Sequence, residues 1–285
     1  MQSVEAAAKA VAARIERLAT ERVPLAEAGG RVLADDVGAA RALPIFDNSA
    51  MDGYAARSAE LPATLPVVGL VAAGQVMTET VPPGVAIRIL TGAPMPAGLD
   101  TVVIQEDAKV DGSNVTLPAS PVGENVRRAG EDIAPGDVAV TAGTRLGGGA
   151  LGLLAALGLV ELSVVKRPRV ALITTGDELV DVTTTPLPGQ IVDSSAHMLG
   201  AMVTAAGGVP SYFGISKDDP ISLAAMIASA FDHDAIITTG GVSVGDRDHV
   251  RTALAAAGVE LELWKVAMKP GKPFSFGMNG RVPVF

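Results

Sequence analysis

Glycines, hydroxyl side chains and aspartates follow one apolar segment closely enough to form an anion and metal site. The β-branched run at 235–238 predicts a buried strand, and it leads into Thr-Gly-Gly-Val-Ser-Val-Gly-Asp-Arg-Asp at 239–248. Glycines let backbone amides approach a phosphate, hydroxyls add donors, and a helix beginning near Asp248 would add its positive dipole end. Aspartates cannot hold a phosphate themselves, so we expect them to hold a divalent cation, Mg²⁺, that bridges to it. The candidates are Gly240, Gly241, Ser243 and Gly245 for the anion, with Asp246 and Asp248 for the metal.

Carboxylates and lysines also follow other predicted strands. The strand Val170–Thr174 is followed by Thr-Gly-Asp-Glu at 175–178, and a strand at 260–266 is followed by Lys-Pro-Gly-Lys at 269–272. In open α/β sheets, ligands bind outside the carboxyl ends of the strands. Each carboxylate alone would more often be a helix cap or a surface charge, and only the shared position favours a site. The candidates for a single crevice are Asp177, Glu178, Asp246, Asp248, Lys269 and Lys272.

A second polar group lies in the first half of the chain. The segment Pro44–Ala55 crowds aspartate, asparagine and serine beside phenylalanine, methionine and tyrosine. Such a segment is either a tightly hydrogen-bonded turn or part of a site, and the spacing leaves both open. Thr91–Pro96 follows a predicted strand. The adjacent Arg127 and Arg128 could bind an anion, although solvated surface charge is about as common for such a pair.

Two kinds of pattern position these groups. Residues 65–138 read as short alternating strands separated by Gly and Pro, which predicts a small all-β domain. After a hinge at Lys166–Pro168, strands alternate with helices, which is typical of a parallel α/β sheet.

Helix signals are clear at three places. Ser3 can cap an amphipathic helix running to about Thr20. A second helix is capped around Asp193 and stops at Gly207. A third begins at Asp218–Pro220, where capping is slightly favoured for both aspartates.

Composition excludes several classes of function. The 285-residue chain has no Cys, so thiolate metal sites and cysteine nucleophiles are excluded, and its three His have no metal-like spacing. A net charge of −9 argues against general nucleic-acid binding. The sequence offers no membrane span of about 18 apolar residues and no signal-peptide core, so we expect a cytoplasmic protein.

Four stretches together resemble one protein family. They are Asp47–Tyr54, Thr175–Leu179, Thr239–Gly245 and Lys269–Pro273. They closely resemble the MoeA family of molybdopterin molybdenumtransferases and the related E domain of gephyrin. Thr91–Pro94 and Arg128–Asp132 fit the same family, so the resemblance runs essentially from end to end.

The resemblance implies a multidomain fold of α/β and β type. It implies an elongated N-terminal dimerisation domain over 1–42 and 138–167, an inserted small β domain over 43–137, and a doubly wound parallel α/β domain, similar to MogA, over 168–285. That last domain would bind molybdopterin. In the family a further C-terminal β domain follows, and the chain stops before it, so we expect a fragment or truncated chain whose turnover is impaired.

The resemblance also implies a reaction. The protein would insert molybdate into adenylylated molybdopterin at the dithiolene and release AMP, with Mg²⁺ neutralising charge as the phosphoanhydride is hydrolysed. Matched position by position, the catalytic candidates are Asp52, Thr91, Asp132, Glu178 and Asp248, and the metal ligands are Glu178 with Asp248 or Asp246. The substrate-binding candidates are Gly240, Gly241, Ser243, Gly245, Lys269, Lys272, Asp218 or its neighbour Asp219, and Arg127 or Arg128.

Partners and rival functions follow from the same resemblance. It implies a homodimer in which the β region reaches the crevice of the partner subunit, with molybdopterin adenylyltransferase and molybdoenzymes as candidate transient partners. One alternative is a non-catalytic scaffold like gephyrin, against which the acids Asp52, Glu178 and Asp248 weigh. Another is a molybdopterin adenylyltransferase, whose fold the region from Arg169 resembles, but the β domain and the Asp52 motif point away from it.

Overall fold

The protein folds into two compact units. The computed structural model describes residues 2–240, 249–264, 266–268 and 274–285. Unit 1 consists of Met1–Arg22 and Ser163–Phe285, and unit 2 consists of Val23–Leu162. None of the helices in the described ranges is both long enough and apolar enough to span a bilayer.

The helices and strands of the two units have the following bounds. The helices are α1 (Val4–Ala12), α2 (Gly148–Ala156), α3 (Ser195–Ala206), α4 (Pro220–Ser229) and α5 (His249–Ala256). The strands up to the end of unit 2 are β1 (Thr20–Pro24), β2 (Val37–Gly38), β3 (Asn48–Ser49), β4 (Gly53–Ala56), β5 (Ala63–Val71), β6 (Ala86–Ile89), β7 (Thr101–Ile104), β8 (Lys109–Asp111), β9 (Asn114–Leu117), β10 (Val126–Arg127), β11 (Val138–Val140) and β12 (Glu161–Val165). Those of unit 1 that follow are β13 (Arg169–Thr175), β14 (Leu179–Val180), β15 (Ile191–Val192), β16 (Val209–Ser216), β17 (Ala235–Thr239), β18 (Glu260–Trp264), β19 (Ser275–Asn279) and β20 (Val282–Val284).

Unit 2 is built on a six-stranded sheet in the order β7-β4-β6-β5-β9-β8. Alternate residues of β4 serve different cores: Ala55 packs with Ile87 and Ile89, whereas Tyr54 and Ala56 belong to a separate apolar cluster. At β4 the sheet is therefore buried on both faces, because successive side chains along a strand point to opposite faces. The β-rich region predicted from residue 65 onward is confirmed, and it begins earlier, at β4.

Unit 1 is an α/β unit around a second six-stranded sheet, in the order β16-β13-β17-β20-β19-β18. One face packs on α4 and α5, and the other packs on α3, so helices cover both faces. The predicted parallel α/β sheet is confirmed for β16, β13, β17 and β20, which are parallel, whereas β19 is antiparallel to both its neighbours. A hairpin closes the sheet where a crossover helix would be needed to continue it in parallel.

The edge strand β16 contains a bulge close to its carboxyl end. Leu172 of β13 pairs with Tyr212, but Ile173 pairs with Gly214, so one residue of β16 has no partner. Gly214 has a φ of +107°, a conformation that glycine adopts without a Cβ penalty. Beyond the bulge the pairing resumes and brings Thr175 opposite Ser216.

The N-terminal helix is shorter than the sequence predicts. Ser3 does cap it, because its side chain accepts from the Ala6 amide at 3.2 Å, but α1 ends at Ala12 and not near Thr20. Ala7 is buried in an apolar cluster with Phe276 and Met278 of β19. Ile15 would continue the apolar stripe of the helix, yet it is 49% exposed. Its side chain therefore packs on no surface that would stabilise a further helical turn after Ala12.

The contacts of α1 also bear on the domain prediction. The sequence-based division placed residues 1–42 with 138–167, whereas the structure groups Met1–Arg22 with Ser163–Phe285. The reason is the packing of α1 on β18 and β19. The other predicted boundaries stay predictions.

Candidate functional site

The predicted motifs of unit 2 are brought together by backbone hydrogen bonds. Strand β3 pairs with β10, placing Asn48 opposite Arg127. The amide of the fully buried Ser49 donates to the Ala93 carbonyl at 3.0 Å, and the Gly92 amide donates back to the Ser49 carbonyl at 2.8 Å. The segment 47–52 is thus fixed between the 91–96 turn and the 126–132 turn. The tightly hydrogen-bonded turn is confirmed, and it gathers candidate site residues; that the segment is part of a site stays a prediction.

Asp52 and Thr91, both predicted as catalytic, are direct partners. The Asp52 Oδ1 accepts from the Thr91 amide and from the Thr91 hydroxyl, each at 2.7 Å. These two donors, helped by the charge of Arg88, hold the pKa of Asp52 below its ordinary value. Asp52 is therefore a carboxylate at neutral pH that orients the Thr91 hydroxyl.

The two arginines are both held by carboxylates. Arg127 donates through Nε to Glu131 at 2.9 Å and through Nη2 to Asp132 at 2.7 Å. Arg128 donates to Asp47 at 2.6 Å. The predicted residues Arg127 and Asp132 thus contact each other. All these side chains are partly exposed, so each pair contributes at most about 1 kcal/mol to stability.

Three charged residues of this surface were not among the site candidates named from the sequence, although Asp47 and Glu131 lie in the motif stretches. The Ala129 amide and the Arg128 guanidinium hold the pKa of Asp47 low, so Asp47 anchors one turn to the other. Glu131 accepts from the Arg127 guanidinium and from the Arg128 backbone amide, and its signal in the sequence was a pair of acids following closely after a pair of arginines. Arg88 lies 4.9 Å from the Tyr54 ring centroid and donates to the Gly53 carbonyl at 3.0 Å. Nothing in the sequence around Arg88 indicates that it belongs to this surface.

In unit 1, the predicted residues meet at the carboxyl edge of the sheet. The Thr175 hydroxyl at the end of β13 donates to Asp218 Oδ1 at 3.0 Å, and the Asp218 amide donates to Asp177 at 3.3 Å. Gly240, which follows β17, has a φ of +98°. A Cβ there would lie 2.1 Å from the Thr175 carbonyl oxygen, so only glycine fits between these strand ends.

The structure separates the two aspartates before α4. Asp219 caps the helix, because its side chain accepts from the Ser222 amide at 2.8 Å. Asp218 instead faces the strand ends beside Thr175. The capping interpretation is confirmed for Asp219 and is wrong for Asp218.

Glu178 folds back against the turn that carries it. A Cβ on Gly176 would lie 2.7 Å from the Glu178 carboxylate, which is the end of a flexible and exposed side chain. The Glu178 carbonyl accepts from the Ile191 amide at 2.8 Å, which fixes its backbone, while the side chain remains exposed. Glu178 is thus available to a ligand at the same edge as Asp218.

Asp193 is the residue of unit 1 whose role the sequence did not indicate beyond helix capping. It is 3% exposed, and its Oδ2 accepts from the Thr174 hydroxyl at 2.7 Å and the Tyr212 hydroxyl at 2.8 Å. Its Oδ1 accepts from the amides at the start of α3. Burial alone would raise the pKa of Asp193, but the four hydrogen bonds outweigh burial and lower it, so the group is a buried carboxylate.

Part of the predicted site lies outside the described residues. These residues are Gly241, Ser243, Gly245, Asp246, Asp248, Lys269 and Lys272. Within the ranges that the structure describes, no three His, Asp or Glu side chains cluster closely enough to hold a metal. The Mg²⁺ site therefore stays a prediction.

Comparison with known families agrees with this architecture. Residues 2–158 match the MoeA N-terminal region (domain I and II), and residues 171–284 match a probable molybdopterin binding domain. The chain belongs to the MoeA family. The resemblance seen in the sequence motifs is thereby confirmed.

MoeA relatives with curated names are similar over most of this chain. The chain is 43% identical over 265 residues to the molybdopterin molybdenumtransferase of Nostoc sp., covering 90% of this chain and 61% of the relative. It is 40% identical over 299 residues to molybdopterin molybdenumtransferase 2 of Mycobacterium tuberculosis, covering 100% and 74%. The crystal structure of the molybdopterin biosynthesis MoeA protein of Pyrococcus horikoshii OT3 superposes with a TM-score of 0.84 at 32% identity, covering 100% of this chain and 73% of that one. The chain thus spans about three fifths to three quarters of the length of these MoeA proteins.

Proposed function

We propose that this MoeA-family chain is a molybdopterin molybdenumtransferase. It would insert molybdate into adenylylated molybdopterin and release AMP. The observation that carries the proposal is the carboxyl edge of the unit 1 sheet, where Asp218 and the side-chain-free Gly240 contact Thr175 and Glu178 lies in the turn that follows β13. The curated names of the relatives support the same reaction.

The unit 1 edge suits a phosphoanhydride. Gly240 lets the end of β17 lie directly against the Thr175 backbone, and the carboxyl ends of parallel strands are where such ligands bind. We place the pyrophosphate linkage of the substrate here, against Gly240, Gly241, Ser243 and Gly245. Lys269 and Lys272 would meet the anionic groups of molybdate or of the pterin phosphate.

The carboxylates of this edge fit Mg²⁺. Asp218 and Glu178 offer the oxygen donors that Mg²⁺ prefers, and a bare carboxylate near a phosphate needs a cation between them. We propose Glu178 with Asp248 or Asp246 as the protein ligands. When bound, the ion would neutralise charge on the phosphate oxygens. The chain's own contribution is then to hold the anhydride in place for attack by water and to exclude other orientations.

The polar side chains of the unit 2 surface would bind and orient the same substrate. The hydrogen bond to Asp52 holds the Thr91 hydroxyl in one orientation. Glu131 and Asp132 likewise orient the Arg127 guanidinium, which would contact an anionic group of the substrate. We propose that the chain is a homodimer and that each unit 2 surface serves the crevice of the partner subunit. Catalysis by positioning and electrostatics requires no nucleophilic side chain.

The test is AMP release from adenylylated molybdopterin with Mg²⁺, with and without molybdate. The proposal expects release that depends on molybdate and falls at least about 100-fold in Glu178→Gln. Glu16→Gln, the same chemical change at an exposed residue of unit 1, should behave as wild type. Absence of substrate binding in every arm would favour the scaffold, and formation of the adenylate from ATP would favour the adenylyltransferase.

Mixing two inactive variants tests the dimer within the same assay. If Asp52 and Glu178 of one site come from different subunits, mixed dimers of Asp52→Asn and Glu178→Gln contain one intact site each. Equal mixing should then restore about a quarter of wild-type activity, since half of the dimers are mixed and one of their two sites is whole. Subunit exchange without recovery would place both residues in one subunit's site.

A further inference from the structure

We infer that Asp193 is a positioning residue of the proposed site, because it locks the bulge that decides which side chain of the 217–219 turn lies beside Thr175. The inference rests on the proposed function for its effect on turnover. The lock itself is a property of the fold. It involves three elements, β13, β16 and the start of α3.

The bulge sets the register of the carboxyl edge. With it, Thr175 lies opposite Ser216, and Asp218, two residues further, accepts from the Thr175 hydroxyl. If the pairing of Leu172 with Tyr212 continued without the bulge, Thr175 would lie opposite Ile215. The residue two positions further would then be Lys217. A slip of one residue also turns every side chain to the other face, so the edge would lose a carboxylate and gain a cation.

Asp193 accepts hydrogen bonds from residues of both strands, on either side of the bulge. Tyr212 is the last paired residue before it, and Thr174 is the second residue of β13 beyond it. One carboxylate oxygen of Asp193 accepts from both hydroxyls, while the other is fixed by the Ser195 and Ala196 amides. Hydrogen bonds to a buried charge are short and strong because no water competes for them. Bulges are also common next to active sites, where they redirect a side chain.

A plain capping role for Asp193 makes a different prediction. A cap needs only the two amides of α3, and asparagine would serve nearly as well. The lock also needs two hydroxyl donors on one oxygen. Tyr212→Phe and Thr174→Val remove these donors and leave the cap intact, so they separate the two roles.

The experiment follows amide hydrogen exchange and turnover in the full chain. The variants are Asp193→Asn, Tyr212→Phe and Thr174→Val. The matched control is Asp181→Asn, because Asp181 also accepts from a threonine hydroxyl and a backbone amide in unit 1 but lies in an exposed turn. We expect the Gly176 amide, which donates to the Ser216 carbonyl at 3.2 Å, to exchange about tenfold faster in all three variants and at the wild-type rate in the control.

Turnover supplies a readout that a structural role would not change. We expect kcat/KM for AMP release to fall about tenfold in Tyr212→Phe with little change in Tm. The double variant Tyr212→Phe with Asp218→Asn should lose no more than Asp218→Asn alone, because the lock acts through Asp218. Additive losses would contradict the inference.

The outcomes distinguish failure of the lock from failure of the proposed function. Wild-type exchange at Gly176 in Tyr212→Phe and Thr174→Val would overturn the lock whatever the enzyme does. Faster exchange, in a chain that releases no AMP even as wild type, would support the lock and refute the transferase. Should Asp193→Asn fail to fold, Tyr212→Phe still decides, since Tyr212 is 46% exposed and loses only a hydroxyl.

Discussion

Replacing Gly240 by alanine should open the carboxyl edge of the unit 1 sheet. The added Cβ would lie 2.1 Å from the Thr175 carbonyl oxygen, whereas ordinary van der Waals contact begins at 3.4 Å. The ends of β13 and β17 must therefore separate by about 1.3 Å. The obstacle is backbone, so no side-chain rotation can relieve it.

The expected cost has two parts. The left-handed backbone of Gly240, with a φ of +98°, costs an alanine about 1–2 kcal/mol. Forcing extra volume into packed structure adds about 1–3 kcal/mol. The free energy of unfolding of unit 1 should thus fall by about 2–5 kcal/mol. A displacement near 1 Å at the proposed site should also lower kcat/KM by about 100-fold.

Gly189→Ala isolates the steric part. Gly189 also lies in unit 1 with a φ of +88°, but no atom lies within 4 Å of a Cβ there, so it pays only the backbone term of about 1–2 kcal/mol. Urea unfolding followed by fluorescence of Trp264, the single tryptophan of the sequence and a residue of β18, reports on unit 1. Equal losses in the two variants, or wild-type kcat/KM in Gly240→Ala, would refute the reasoning.

Two further predictions concern unit 2. Arg127→Lys should raise KM for adenylylated molybdopterin about tenfold without moving the urea midpoint, because the single lysine nitrogen cannot reproduce the fixed Nε and Nη2 donors that contact two carboxylates. Arg128→Lys keeps a contact to one carboxylate and should raise KM less, and equal effects in steady-state kinetics would contradict this. The pKa values of Asp47 and Asp52 are lowered in the folded protein, so their carboxylates stabilise the fold at pH values above the ordinary carboxyl pKa of about 3.9. This contribution is lost as the pH falls through the lower folded-state pKa values. The urea midpoint of wild type should therefore fall more steeply below about pH 4 than that of the double variant Asp47→Asn with Asp52→Asn, and parallel curves would show that these groups do not contribute.

Local signals in the sequence predicted much of unit 1 because each depends on adjacent residues. The stop of α3 at Gly207, which has a φ of +100°, follows from the conformational freedom of glycine. The cap at Asp219 and the proline after it follow from the chemistry of helix starts. The strand ends carrying Glu178 and Gly240 were found for the same reason.

The antiparallel end of the sheet was missed although a signal was present. Asn279 and Gly280 separate two short apolar runs, and this dipeptide is the strongest short-range indication of a hairpin. Gly280 indeed has a positive φ of +55°. The alternation of strands and helices before it suggested a parallel sheet, and that pattern does not extend past β18.

The hydrogen-bonded networks could not be predicted because their members are distant in sequence. Asp193 lies 19 residues from both Thr174 and Tyr212, and Asp52 lies 39 residues from Thr91. No periodicity relates such positions. Motif resemblance predicted Asp52 and Thr91 as site residues, but only the fold shows that they are hydrogen-bond partners.

The packing of α1 has a consequence for synthesis of the chain. Ala7 is buried against Phe276 and Met278, and Arg14 pairs with Glu262 across 248 residues. A ribosome adding about 5–20 residues per second needs about 12–50 s to make that intervening length. During this interval the first helix has no native surface to cover its apolar side, and a nine-residue helix is marginal in water by itself. Helix α1 is thus made well before the surface that covers it in the fold, and it completes its packing only after β18 and β19 have been made.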